Sequence, residues 1–169
     1  MTTPLKFILN FRLLLIPLIT ILTMVPACSV DVGSKEEYLP GIEIPLSEMN
    51  TKIRLEIYPG MPDAFTKDED LLFLVYNNST SEIVFPKDFG IEVLIHQDNK
   101  WNMLTNNWGY PEGENILFPS NVYPGGLPFS VYPDMSSFNK PATVRIVVIG
   151  NDIENNDLVA AFIDVKYEP

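Results

Sequence analysis

Hydrophobic and polar positions alternate with a period of two through much of the chain after residue 51. Ile53, Leu55 and Ile57 are separated by the charged residues Arg54 and Glu56, which is the pattern of a β-strand with one face in water. Residues 71–76 are apolar at every position, so we predict a central strand that is buried on both faces.

A hairpin and three further strands follow from the same pattern. Residues 91–96 alternate, and the turn sequence 97–100 leads into a second short segment at 101–104, as in a β-hairpin. Strands are also predicted at 127–132, 143–149 and 158–167. No helical period of 3.6 residues is sustained between glycines and prolines. We therefore predict an all-β domain, a β-sandwich of about seven or eight strands.

The N-terminus has a different pattern, that of an export signal. Lys6 and Arg12 are the only charged residues before an unbroken apolar run at 13–25, and Pro26-Ala27-Cys28 follows. A basic start, an apolar stretch and a small residue before the cut are typical of a signal peptide. The run is shorter than the roughly 20 residues of a membrane span. An ordinary signal peptide with a chance cysteine and an uncleaved anchor are the alternatives.

The end of this segment, Val25-Pro26-Ala27-Cys28, resembles the lipobox of bacterial lipoproteins. The resemblance implies cleavage before Cys28 and attachment of lipid to it. We therefore expect the protein at the cell membrane or outer envelope, lipid-anchored and facing away from the cytoplasm. Cys28 is the only cysteine, which rules out an intramolecular disulfide and any Cys-based zinc site.

Composition divides the chain into three parts. Residues 1–27 form the predicted signal peptide, and residues 28–41 are the lipidated cysteine with a polar tether that is broken by Gly33, Pro40 and Gly41. Such a tether buries little apolar surface, so we expect it to be flexible, with a reach of roughly 40 Å. Residues 42–169 form the predicted β-domain.

Several motifs of this domain look like those of the immunoglobulin-like domains on bacterial surface lipoproteins. They are the strand running into Asn78-Ser79, the hairpin that carries Trp101, the Tyr123-Pro124-Gly125-Gly126 turn and the late strand at 143–149. The resemblance implies an immunoglobulin-like sandwich in an envelope setting and transfers no functional residue. The long 101–124 connection and the missing disulfide depart from antibody domains.

Charge and residue inventory exclude several kinds of function. The chain has 11 basic and 22 acidic residues; loss of Lys6 and Arg12 leaves 9 against 22, a net charge of −13. This charge disfavours nucleic-acid binding and docking of a basic patch on a membrane. His96 is the only histidine; a Ser-His-Asp triad or a His-based zinc site could not be assembled without it, and we predict that it is a surface residue of the hairpin. Without a glycine-rich phosphate loop, we predict no cofactor and no enzymatic activity.

An acidic loop is the one candidate metal site. Its oxygen donors are Asn151, Asp152, Glu154 and Asp157, ligands of the kind that Ca²⁺ prefers. The loop lacks the spacing of an EF-hand, and Asn and Asp are also common in loops because they tolerate turn conformations. A calcium-dependent enzyme or inhibitor that uses this loop is the alternative function.

Aromatic residues and prolines are interleaved from 108 to 138, and Trp108, Tyr110 and Tyr123 are the candidate ligand-binding residues. Stiff loops can present flat rings to a partner, although rings of this segment can equally pack on the sandwich. About half must face the core if 127–132 is a strand, and Trp101 is predicted to be a core anchor. The function we predict is a non-catalytic accessory or binding module that engages a protein or a glycan.

Overall fold

Every regular element in the described part of the chain is a β-strand. The computed structural model describes residues 36–67, 69–106 and 115–169, and within them there is no helix, hence none that could span a bilayer. The all-β prediction is confirmed. The predicted signal peptide, Cys28 and the first part of the tether lie outside the described residues.

The structure has ten strands in these residues, more than the seven or eight predicted, because three of them are too short to show a pattern. In chain order they are β1 Ile53–Ile57, β2 Ala64–Phe65, β3 Leu71–Asn77, β4 Ile83–Phe85, β5 Glu92–Gln97, β6 Lys100–Leu104, β7 Asn115–Leu117, β8 Leu127–Val131, β9 Ala142–Asp152 and β10 Leu158–Tyr167. The short strands β2, β4 and β7 have two or three residues each.

The strands form two sheets. The smaller sheet is antiparallel with the order β1-β3-β8, so β3 is central, as its apolar sequence predicts. The larger sheet is organised by β9, which pairs with β10 along one edge and with β5 and β4 in succession along the other. β6 and β7 extend it beyond β5 and β4, and β2 adds to β10 as its parallel neighbour.

One hydrophobic core lies between the two sheets. The smaller sheet contributes Phe73, Val75 and Phe129, and the larger sheet contributes Ile146 and Val148, all of them buried. Phe73 and Phe129 are stacked with ring centroids 5.5 Å apart. Inward side chains from both sheets thus share one interior, in a sandwich-like arrangement.

The hairpin β5–β6 has the predicted turn. Asp98 and Asn99 are its two loop residues, with φ of 49° and 60°. This left-handed pair is the geometry of a type I′ turn, which matches the twist of the adjoining strands.

A segment before β1 packs on the outer face of the larger sheet. This N-terminal strap, residues 36–50, buries Leu39, Ile42 and Met49 against side chains of β5, β9 and β10. Asn50 also bonds the free edge of β10, since its N–H donates to the Ala160 carbonyl at 3.0 Å and its Oδ1 accepts from the Phe162 N–H at 2.9 Å. The packed part of the chain therefore begins before Ile42, inside the segment predicted to be a tether.

Candidate functional site

The β9–β10 turn holds the predicted calcium ligands. Lys52, the residue directly before β1 of the smaller sheet, reaches this turn. Asp152, the last residue of β9, is 1% exposed, and its Oδ2 accepts a hydrogen bond from Lys52 Nζ at 2.7 Å. The Glu154 N–H donates to the other carboxylate oxygen at 3.1 Å. The ammonium compensates a charge that would otherwise be costly to bury.

The same contact moves both pKa values. The hydrogen bond from Lys52 lowers the pKa of Asp152, although burial acts in the opposite direction. The hydrogen bond to Asp152 raises the pKa of Lys52. Both groups are therefore charged over the neutral range, and the pair is an ionic one.

The remaining acidic-loop residues do not converge on Asp152. Asn151 lies on the opposite face of β9, because successive residues of a strand alternate. Glu154 and Asp157 are exposed, and Asp157 Oδ2 is 3.9 Å from Lys52 Nζ. Within the described ranges no three His, Cys, Asp or Glu side chains are grouped so as to hold a metal ion. Calcium binding stays a prediction, and the nearest cation to Asp152 is the Lys52 ammonium.

A buried amide organises the same end of the sandwich. Asn77, at the end of β3, is 1% exposed. Its Nδ2 donates to the carbonyls of Ser81 at 2.7 Å and Leu117 at 3.1 Å, and its Oδ1 accepts from the N–H and the hydroxyl of Ser79. One side chain thereby ties the bend after β3 to the end of β7.

An exposed apolar surface begins where Asn77 meets β7. We call Ile116, Phe118, Val122 and Tyr123 the apolar rim; these four side chains are between 43% and 69% exposed. They are four of the nine exposed large hydrophobic side chains among the described residues, yet they lie within a segment of eight. No residue from 115 to 123 is charged, so the rim is an uncharged apolar segment on an acidic protein.

The rim is held in shape by main-chain hydrogen bonds. The Ser120 N–H donates to the Asn77 carbonyl at 2.9 Å, and the N–H groups of Val122 and Tyr123 both donate to the Pro119 carbonyl at 2.8 and 2.9 Å. Because these bonds fix the loop before any partner arrives, little conformational entropy is lost on binding.

The aromatic side chains of the 108–138 segment lie partly at the surface and partly in the core. Tyr123 is 53% exposed, whereas Phe129 is buried and stacks on both Phe73 and Phe89. Trp108 and Tyr110 lie outside the described residues. Sequence reasoning missed Ile116 and Val122, since isolated aliphatic residues in a loop carry no ligand signal.

A row of side chains connects the rim to β10 across the outer face of the larger sheet. Leu158 lies opposite Asn151, Asn151 opposite Val84, and Val84 opposite Ile116. We call these four residues the cross-strand row; at about 4.8 Å between strands it is about 14 Å long. Leu158 is 52% exposed and Ile116 46%, so the row presents apolar side chains at both ends.

The other end of this outer face carries Trp101, which is half-buried against the hydrophobic cluster under the strap and does not lie in the core between the sheets. Trp101 lies on the outer face, with the Arg145 guanidinium 4.3 Å from its ring centroid and 4.0 Å from that of Phe162. Arg145 also forms a two-point ion pair with Asp164 at 2.7 and 2.8 Å. His96 is exposed, as predicted, and tilts against Trp101. Strand alternation places Trp101 and His96 on the same face, opposite to the core.

Comparison with known proteins identifies no family for this chain. No protein-family model matches the chain, and no curated protein matches it significantly. The functional argument therefore depends on the surfaces described above.

Proposed function

We propose that this chain is a lipid-anchored accessory module of the cell envelope that binds a protein partner through the apolar rim and performs no catalysis. The observation that supports this proposal is the concentration of exposed Ile116, Phe118, Val122 and Tyr123 on a loop fixed by hydrogen bonds. Exposed apolar side chains concentrated in this way are typical of an interaction site.

The chemistry of the rim favours protein over glycan as the partner. Two of its four side chains are aliphatic, and residues 115–123 offer no charged group. Protein interfaces have an apolar, desolvated centre, whereas sugars combine ring stacking with several polar contacts. A glycan partner would suit a flatter and more polar surface than this one.

The anchor in this proposal is lipid on Cys28, within a segment outside the described residues. Because Leu39 of the strap is buried against the larger sheet, the linker between anchor and domain is at most residues 29–38. At about 3.3 Å per residue its reach is roughly 33 Å, which still lifts the domain beyond the lipid headgroups.

Neither Asp152 nor His96 supports the alternative function, a calcium-dependent enzyme or inhibitor. The carboxylate of Asp152 is already neutralised by Lys52. The ring neighbour of His96 is Trp101, and an indole supplies neither a nucleophile nor an orienting carboxylate.

Site-specific photocrosslinking in living cells tests the binding surface. We would place a benzoyl-phenylalanine at Tyr123 and, as a matched control, at Tyr58, a tyrosine that is 40% exposed at the other end of β1. We expect a discrete, protease-sensitive adduct from position 123 and none from position 58. The adduct should disappear when Phe118 is changed to Ser. A protease-resistant, glycosidase-sensitive adduct would favour the glycan, and equal adducts at both positions would contradict the proposal.

The anchor is tested by metabolic labelling with a palmitate analogue. We expect the wild-type protein to be labelled and recovered in the membrane fraction, and Cys28→Ser to be neither. A labelled, membrane-bound Cys28→Ser protein would refute lipid attachment at this residue without bearing on the rim.

A further inference from the structure

A depression opens beside the cross-strand row, between the N-terminal strap and the start of β10. Its volume is about 550 Å³, and Leu158 lies both in its wall and at the end of the row. The other apolar lining comes from Ile44, Pro45 and Val159. We call this depression the strap pocket.

The charged lining of the strap pocket is unbalanced. It contains the carboxylates of Glu43, Glu48 and Asp157 but a single ammonium, that of Lys52, which is already bonded to Asp152. Neither Glu43 nor Glu48 has a cationic group within 4.0 Å among residues 36–67, 69–106 and 115–169. The pocket thus combines an apolar wall with a surplus of negative charge.

We infer that the strap pocket binds a basic side chain of the protein partner, arginine in preference to lysine. A long aliphatic stem followed by a cation matches an apolar wall with carboxylates at its edge. Arginine is favoured because its planar fork can donate to two carboxylates at once, whereas an ammonium acts as a point charge.

This inference rests on the proposed function and specifies the chemistry of the partner. A segment that inserts its basic side chain beside Leu158 can lay apolar side chains along the cross-strand row as far as Ile116, the first residue of the apolar rim. Charge complementarity selects this occupant: a net charge of −13 on the mature chain attracts a basic segment over long range and repels a second copy of the same chain.

The pocket is tested with a small probe on the full-length protein in a neutral detergent. Nα-acetyl-arginine amide is titrated, and the backbone amide shifts of Asp157 and Leu158 are followed by NMR. Nα-acetyl-citrulline amide is the matched probe, because it keeps the shape and lacks the charge. We expect saturable binding of the arginine probe that weakens with added salt, and binding of the citrulline probe at least about tenfold weaker.

Variants locate the binding. Glu48→Gln should weaken binding of the arginine probe about two- to fivefold, the range for one exposed ion pair. Glu56→Gln, the same change on β1, should leave binding of the probe unaltered. Equal binding of the two probes, no binding of either, or equal effects of the two variants would overturn the inference.

The crosslinking experiment separates this inference from the proposed function. If the position-123 adduct forms but arginine does not bind the pocket, only the inference about the pocket fails. If arginine binds while no adduct forms, the pocket stands as a basic side-chain site and the rim proposal fails.

Discussion

Replacing Lys52 by Met should destabilise the protein by about 2–3 kcal/mol. The substitution keeps most of the aliphatic stem but removes the ammonium, and it leaves the 2%-exposed carboxylate of Asp152 without its cation. Breaking a fully buried ion pair typically costs about 3–5 kcal/mol. The expected loss is smaller here because Lys52 is 35% exposed, so water already screens part of the interaction.

Urea denaturation of the full-length protein at neutral pH, followed by tryptophan fluorescence, measures this loss. Lys87→Met is the control, since Lys87 is an exposed lysine and its replacement should change stability by no more than about 0.5 kcal/mol. Asp152→Asn should cost less than Lys52→Met, because a freed lysine can turn into water and a buried carboxylate cannot. A Lys52→Met protein as stable as the control would refute the reasoning.

The pH dependence provides an independent check of the same pair. The folded-state pKa of Asp152 is lowered, so its stabilisation is complete above the ordinary carboxyl value of about 3.9 and is lost as pH falls through the folded-state pKa. The pKa of Lys52 is raised, so its contribution is complete below about 10.4 and is lost as pH rises through the folded-state value. The difference in the free energy of unfolding between wild type and Lys52→Met should therefore be largest between about pH 5 and 9 and become smaller below and above this range.

Three further predictions concern the scaffold of the site. Asn77→Ala should cost about 2–3 kcal/mol in urea denaturation, because buried carbonyls lose their donor; a loss below about 0.5 kcal/mol would contradict this role. Gly126→Ala should cost more than Gly60→Ala: both have positive φ, but a Cβ at Gly126 would lie 2.9 Å from the Tyr76 ring, whereas Gly60 has open space. Leu39→Asp should release the strap, seen as faster proteolysis before β1 with the core fragment intact; unchanged digestion would show that Leu39 does not hold it.

Local sequence determined the elements that depend only on neighbouring residues. The alternation of β1 and the apolar run of β3 follow from which faces of each strand meet water. Asp98 and Asn99 predicted the β5–β6 turn because these residue types tolerate the left-handed backbone that it requires. The all-β class follows from the same local preferences.

The strap shows what such preferences cannot reveal. Its first residues belong to the segment 28–41, which is largely polar and is interrupted by Gly33, Pro40 and Gly41, a composition that favours a flexible tether. Leu39 and Ile42 are buried only because β5, β9 and β10 assemble an apolar outer face that accepts them. Trp101 packs against the same outer cluster for a related reason, since this sheet buries side chains on both of its faces.

The sequence alone determined that this is an acidic all-β chain with one cysteine and one histidine, and it predicts an export signal. Tertiary structure decided which charges form pairs and which apolar side chains stay exposed. Lys52 and Asp152 are 100 residues apart, and no local pattern links them. Period-two alternation shows which residues share a face of one strand, but contacts between sheets depend on how the two sheets pack. That packing turns a predicted calcium ligand into half of an ion pair and leaves the apolar rim exposed.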